Sequence, residues 1–137
     1  MREIIFRGKR IDNGEWVYGW FCMYSFGQWP LKTSIIPSEK AHEGCFEHKE
    51  VEQSTIGQYT GLQDKNGKRI FEGDIVKVRQ GNGRWEATIC YENGSFLVAP
   101  ISGNILERTL WEYWYNDWDI EVIGNMQDNP ELLEVTT

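Results

Sequence analysis

The chain has 137 residues, 40% of them hydrophobic and 14% aromatic, with a formal net charge of −7. That size suits one ordinary domain or two small subdomains sharing a core, and the composition is too apolar for a disordered chain. No apolar run reaches the ~18 residues of a membrane span, and the apolar patch in MREIIFRGKR is too short for a secretion signal, so a cytoplasmic protein without membrane association is expected.

The first predicted element is the strand EIIFRGKRI, in which Ile4 and Phe6 alternate with Glu3, Ile5 and Arg7. Asn13-Gly14 then turns the chain into EWVYGWFCMY. Trp16 to Met23 is apolar on both faces apart from Gly19, so that strand is expected to be central. Residues 24–56 read as an irregular excursion. Pro30 and Pro37 interrupt any pattern, and SEKAHEGCFEHKEVEQ offers at most one short helical turn.

Two more Asn-Gly pairs follow, Asn66-Gly67 and Asn93-Gly94, each between strand-like runs. Asn-Gly suits a type I′ hairpin turn, where both central residues need positive φ. Three such signals in a short chain predict a mainly β protein built of antiparallel hairpins. EGDIVKVR begins a strand in which Ile75, Lys77 and Arg79 alternate with Val76 and Val78. A GNG loop at residues 81–83, then WEATICY and FLVAPI, complete a run of short strands that resembles an SH3-like barrel. DNPELL reads as a short C-terminal helix, with Asp128 or Asn129 as cap and Pro130 in its first turn. The expected division is residues 1–62, hairpins with the excursion, and residues 63–137, the barrel with its terminal helical turn.

Charge is unevenly placed. Residues 101–137 carry Arg108 against eight acidic residues, which accounts for the whole imbalance, while residues 1–100 carry 13 of each sign. Residues 65–84 are locally basic, with six cations against Glu72 and Asp74.

Three stretches together carry a family resemblance: REIIFRGKRIDNGEWVYG, TIGQYTGLQDKNGKRIFEGDIV and EVIGNMQDNPELL. In order and spacing they resemble the YopX family of phage and prophage proteins. The resemblance implies a bacterial virus or integrated prophage as source, an all-β fold and an SH3-like C-terminal part. It brings no established catalytic residues. Within the middle stretch, Tyr59, Leu62, Ile70 and Phe71 read as the apolar positions of paired strands. Gly61, Gly67 and Gly73 stand where positive φ or close backbone approach is needed. The GxxxxGK[ST] spacing of a phosphate loop is missing.

Candidate chemistry is sparse. Asp64, Glu72 and Asp74 could hold a divalent cation, but carboxylates beside turns commonly bind local amides instead. His42, Cys45 and His48 are spaced like zinc ligands, with Cys22 and Cys90 the only soft donors elsewhere. Cys45 with a histidine is the only conceivable nucleophile and base, and nothing resembling an oxyanion hole lies near it. The three cysteines are odd in number and widely spaced, which reads as reduced thiols. No catalytic residue, metal or cofactor is therefore expected.

Two binding surfaces remain. Lys65, Lys68, Arg69, Lys77, Arg79 and Arg84, interleaved with Phe71 and Trp85, form a possible nucleic-acid strip. LWEYWYNDW packs Trp111, Tyr113, Trp114, Tyr115 and Trp118 into eight residues. On a continuous helix Trp111, Trp114 and Trp118 would share one face, more aromatic surface than one short element can bury. The reading that results is an accessory protein that binds, through these tryptophans, a second copy of itself or a phage or host protein. Nucleic-acid binding by the basic strip is the alternative.

Overall fold

The structure is a computed structural model and describes residues 2–24, 27, 31–41, 47–103 and 105–134. It is mainly β, with antiparallel pairing throughout. The chain divides into two compact units, Met1–Tyr59 and Thr60–Thr137.

In the first unit, strands β1 (Phe6–Lys9), β2 (Trp16–Tyr24), β3 (Lys32–Pro37) and β4 (Lys49–Glu50) lie side by side in the order β4-β3-β2-β1. The beginning of β5 (Gly57–Gln63) pairs with β1 through Phe6–Gln58 and Arg7–Gly57. Val17, Ile35 and Val51 are buried together, with Phe6 and Ile56 packed against them. The alternation expected around the first strand is only partly kept. Ile5 and Arg7 are buried and Ile4 is exposed, but Phe6 packs against the core as well. The Arg7 guanidinium sits 4.7 Å above the Trp16 ring, a cation–π contact that lets a charged side chain occupy a buried position.

The expected irregular excursion contains a full strand. β3 pairs along its whole length with β2, from Gly19–Pro37 to Tyr24–Lys32. Pro37 is its last residue, where a missing amide donor breaks little of the ladder. The expected helical turn follows as α1 (Ser38–Ala41). β2 is hydrogen-bonded on both sides, as its composition predicts, yet Trp20, Phe21 and Met23 stand exposed on it.

The second unit begins within β5, which pairs with β6 (Arg69–Phe71). Strands β7 (Asp74–Gln80), β8 (Gly83–Glu92), β9 (Ser95–Pro100), β10 (Arg108–Thr109) and β11 (Asp119–Asn125) form a sheet in the order β10-β9-β8-β7-β11. Among the described residues its outer strands do not pair with each other, so no closed barrel forms. Val76, Val78, Ala87, Ile89, Val98 and Ile120 line its buried face with Leu110 and Tyr113 of helix α2 (Leu110–Tyr115) and Ile70 of β6.

Local turn chemistry fixes these strands. Only Asn93-Gly94 is a two-residue turn with both φ positive, 52° and 81°. At Asn66-Gly67 only the glycine is left-handed, and the Asp64 N–H···O=C Lys68 bond of 2.8 Å closes a three-residue loop. Gly81-Asn82 is a tight turn with positive φ at the glycine, and Gly83 already belongs to β8. Gly61 and Gly73 have φ of 88° and 92°. Beyond Gly73, Asp74 is buried and accepts the Phe71 N–H at 2.8 Å.

The expected C-terminal helix is a single 3-10 turn, Pro130–Leu133. Asn129 stands at its cap position without capping it. The Asn129 side-chain oxygen instead accepts the Asn125 N–H at 3.2 Å, which closes the turn after β11.

Candidate interaction site

Helix α2 carries most of the aromatic cluster, and its ends are fixed by side chains. Thr109 accepts the Glu112 N–H at 3.2 Å, and the Glu112 carboxylate accepts the Thr109 N–H at 3.2 Å. This reciprocal capping box satisfies amides that the first turn leaves open. The helix stops after Tyr115. Asp117 adopts φ 54°, its N–H bonds the Trp114 carbonyl at 3.2 Å, and the Trp118 N–H reaches back to the Tyr113 carbonyl at 3.0 Å. This is a Schellman ending, with the Trp118 ring packed edge-on against Tyr113 at 4.9 Å.

The three tryptophans therefore do not share a helical face. Leu110 and Tyr113 take the core positions. Trp118 lies beyond the helix, half-buried against the core, with the Arg108 guanidinium 5.7 Å from its ring. Trp111 and Trp114 are 57% and 59% exposed, and Tyr115 is 67% exposed. Trp111 and Tyr115 stack at 4.9 Å with 19° between their planes, one turn apart on the outer surface. Sequence reasoning missed Tyr113 as the buried ring. The Asn116-Asp117 pair, which tolerates left-handed backbone, was the signal that the helix ends before Trp118.

Burial pushes the Tyr113 phenol above its ordinary value of 10.0. The Trp85 indole N–H and the Arg108 charge oppose that shift, yet among the described residues neither the hydroxyl nor the indole completes a hydrogen bond. Tyr113→Phe removes a hydroxyl that gains nothing inside the protein, so we expect stability unchanged or raised, whereas Tyr113→Ala should lose about 3–5 kcal/mol. The unfolded phenol ionises near pH 10 and the folded one higher, so stability falls as pH rises from about 10 towards the folded value. Denaturant melts across that range should show a smaller alkaline loss in Tyr113→Phe.

Two clefts share Leu62 and Leu110 in their linings. One, of about 460 Å³, is lined by Thr60, Ser95, Phe96, Thr109 and Trp111 as well as the two leucines. The other, of about 510 Å³, has Ile70 and Ile120 on its lining with Leu62 and Leu110, Trp114 and Trp118 as aromatic walls, and Asp117, Asp119 and Lys65 among its polar groups. Lys65 Nζ lies 3.2 Å from Asp119 and 3.6 Å from Glu121.

The other sequence candidates fall elsewhere. Trp85 packs against the core. Lys77 and Arg79 alternate with buried Val76 and Val78, and their cross-strand neighbours are Glu86 with Glu121, and Arg84 with Asp119. Lys65 is paired as above, and Lys68 and Arg69 lie at the β5–β6 turn. In the ladder Lys77, Arg79 and Arg84 share a sheet face with acids, opposite to that of Trp85, and Lys77 and Arg84 meet Trp85 and Glu86 in the lining of one shallow cleft. Asp64 is buried and takes three backbone amides: Asn66 at 2.8 Å, Lys68 at 2.9 Å and Val122 at 2.9 Å. Cys22 and Cys90 are free, half-buried thiols pushed up by burial, Cys90 also by Glu107, Glu92 and Glu72. His42 and Cys45 lie outside the described residues, and His48 packs on Tyr24 at 4.1 Å. Among the described residues, no three His, Cys, Asp or Glu side chains are grouped to hold a metal ion. No described helix is long and apolar enough to cross a membrane.

A family model described as YopX protein matches residues 5–134. The fold is similar to the crystal structure of protein EF1440 from Enterococcus faecalis, with a TM-score of 0.54 and 24% identity, covering 98% of this chain and 100% of that one. No curated protein matches the chain significantly.

Proposed function

The chain belongs to the YopX family, and on that premise we propose that it is a phage or prophage accessory protein that works inside the bacterial host cell by binding protein, first of all a second copy of itself. Contact, not catalysis, is its mode of action. The second unit is read as an SH3-like barrel left open, a scaffold that presents α2. The observation that carries this reading is the stacked pair Trp111–Tyr115, exposed at 57% and 67% on a helix whose core positions are already filled by Leu110 and Tyr113. Neither ring is needed by the core of its own chain, and preformed stacking lowers the entropy lost when both are covered. Aromatic side chains are favoured at the centre of protein interfaces. Nucleic-acid contact by the basic strip has weaker support, because Asp119, Glu121 and Glu86 lie across the ladder from its strand residues.

Light scattering tests the proposal. We expect a mass above the 16.0 kDa of one chain at high concentration. Trp111→Ala should return it to one chain with an unchanged far-UV spectrum, since a buried interface Trp contributes up to about 2–4 kcal/mol. A wild-type protein that stays at one chain at every concentration contradicts the proposal.

A further inference from the structure

We propose that the cleft lined by Trp114 and Trp118 receives a basic side chain, arginine or lysine, of a partner protein other than a second copy of this chain. The inference goes beyond the self-association reading and does not depend on it, because it is carried by different residues.

A long basic side chain has an apolar stem and a cationic head. The cleft offers both complements. Half-buried Leu62 and the exposed indole of Trp114 give an apolar surface for the stem, above buried Leu110, and Trp118 completes the aromatic lining. Indole faces attract guanidinium and ammonium groups. Asp117 and Asp119 supply the opposite charge.

The cleft already holds one cation: Lys65 Nζ sits 3.2 Å from Asp119 and 3.6 Å from Glu121, with a third of its side chain exposed. Asp117 also lines the cleft. It occupies the left-handed position of a Schellman ending, φ 54°, where glycine is the least strained residue.

The partner's charge follows from the field. Residues 101–137 carry one cation and eight acids, which attracts a basic segment. An acidic peptide or a phosphate would meet Asp117 and Asp119 unfavourably.

The test is a titration of the tryptophan indole N–H resonances with three blocked tripeptides, acetyl-Gly-Arg-Gly-amide and its Leu and Glu counterparts. Assignments come from Trp114→Phe and Trp118→Phe. The Arg peptide should shift the Trp114 and Trp118 resonances saturably, with affinity falling as salt rises, and the Glu peptide should not.

Asp117→Gly preserves the helix ending, so it should melt at or above the wild-type temperature while binding the Arg peptide about three- to fivefold more weakly. Lys65→Gln removes the resident cation, frees Asp119 and Glu121, and should tighten binding. The proposal is overturned if the Leu peptide binds as well as the Arg peptide, if no peptide shifts either indole, or if Lys65→Gln weakens binding. It is equally overturned if Trp114 responds only to the protein's own concentration, which would place a second copy in the cleft. The peptide titration is read at Trp114 and Trp118 and the mass is read in Trp111→Ala, so failure of one proposal is distinguishable from failure of the other.

Discussion

Gly19→Ala is expected to disrupt the pairing of β2 with β3 and to destabilise the first unit by more than about 4 kcal/mol. A Cβ at residue 19 would lie 1.8 Å from the Ile36 carbonyl oxygen and 2.8 Å from both the Ile36 carbonyl carbon and the Ser38 amide nitrogen. All three are backbone atoms, so no side chain can rotate away. Relief requires moving β3, and β3 carries buried Thr33, Ser34 and Ile35. The loss should appear as a lowered thermal midpoint. A Gly19→Ala midpoint within about 2 °C of wild type would show that β3 does not approach β2 as described.

The second large effect is expected at Asp64. Its Oδ1 accepts the Asn66 and Lys68 amides, and its Oδ2 accepts the Val122 amide of β11. One buried carboxylate therefore shapes the β5–β6 turn and ties it to the free edge of β11, beside a second link from the Lys65 N–H to the Ile120 carbonyl at 3.1 Å. Hydrogen bonds to a charged group are worth more than neutral ones, and Asp64→Ala leaves three amides without this acceptor. The expected cost is about 3–5 kcal/mol. Asp64→Asn retains one carbonyl oxygen but turns an NH₂ donor towards an amide donor, so it should fall between. Hydrogen exchange should localise the effect, with Asn66, Lys68 and Val122 losing protection first in Asp64→Ala. Unchanged protection at Val122 would mean that the long-range bond does not form.

Features encoded within a few residues were legible in the sequence. The Asn-Gly pairs mark reversals between antiparallel strands, and Gly61, Gly67 and Gly73 do carry positive φ. The period-two alternation of Lys77 and Arg79 with Val76 and Val78 separates the two faces of β7. Features fixed by distant partners were not legible. β3 hides because buried Thr33 and Ser34 look like loop residues, and only pairing with β2 makes them strand. The same holds for Asp64, whose turn role is local but whose bond to Val122 spans fifty-eight residues. At the candidate site the composition showed that aromatics crowd together, not which of them is core. That choice depends on where α2 stops, and α2 stops where Asp117 adopts a left-handed backbone.

Fluorine NMR of protein labelled with 5-fluorotryptophan tests most directly whether α2 is a contact surface. The chain has seven tryptophans, and Trp111→Phe identifies the resonance that matters. Trp85, packed against the core, serves as internal control. As protein concentration rises, the Trp111 resonance should shift or broaden over the same range in which the mass increases, while the Trp85 resonance stays in place. Seven resonances that do not change with concentration, in a protein whose mass remains 16.0 kDa, would contradict the account.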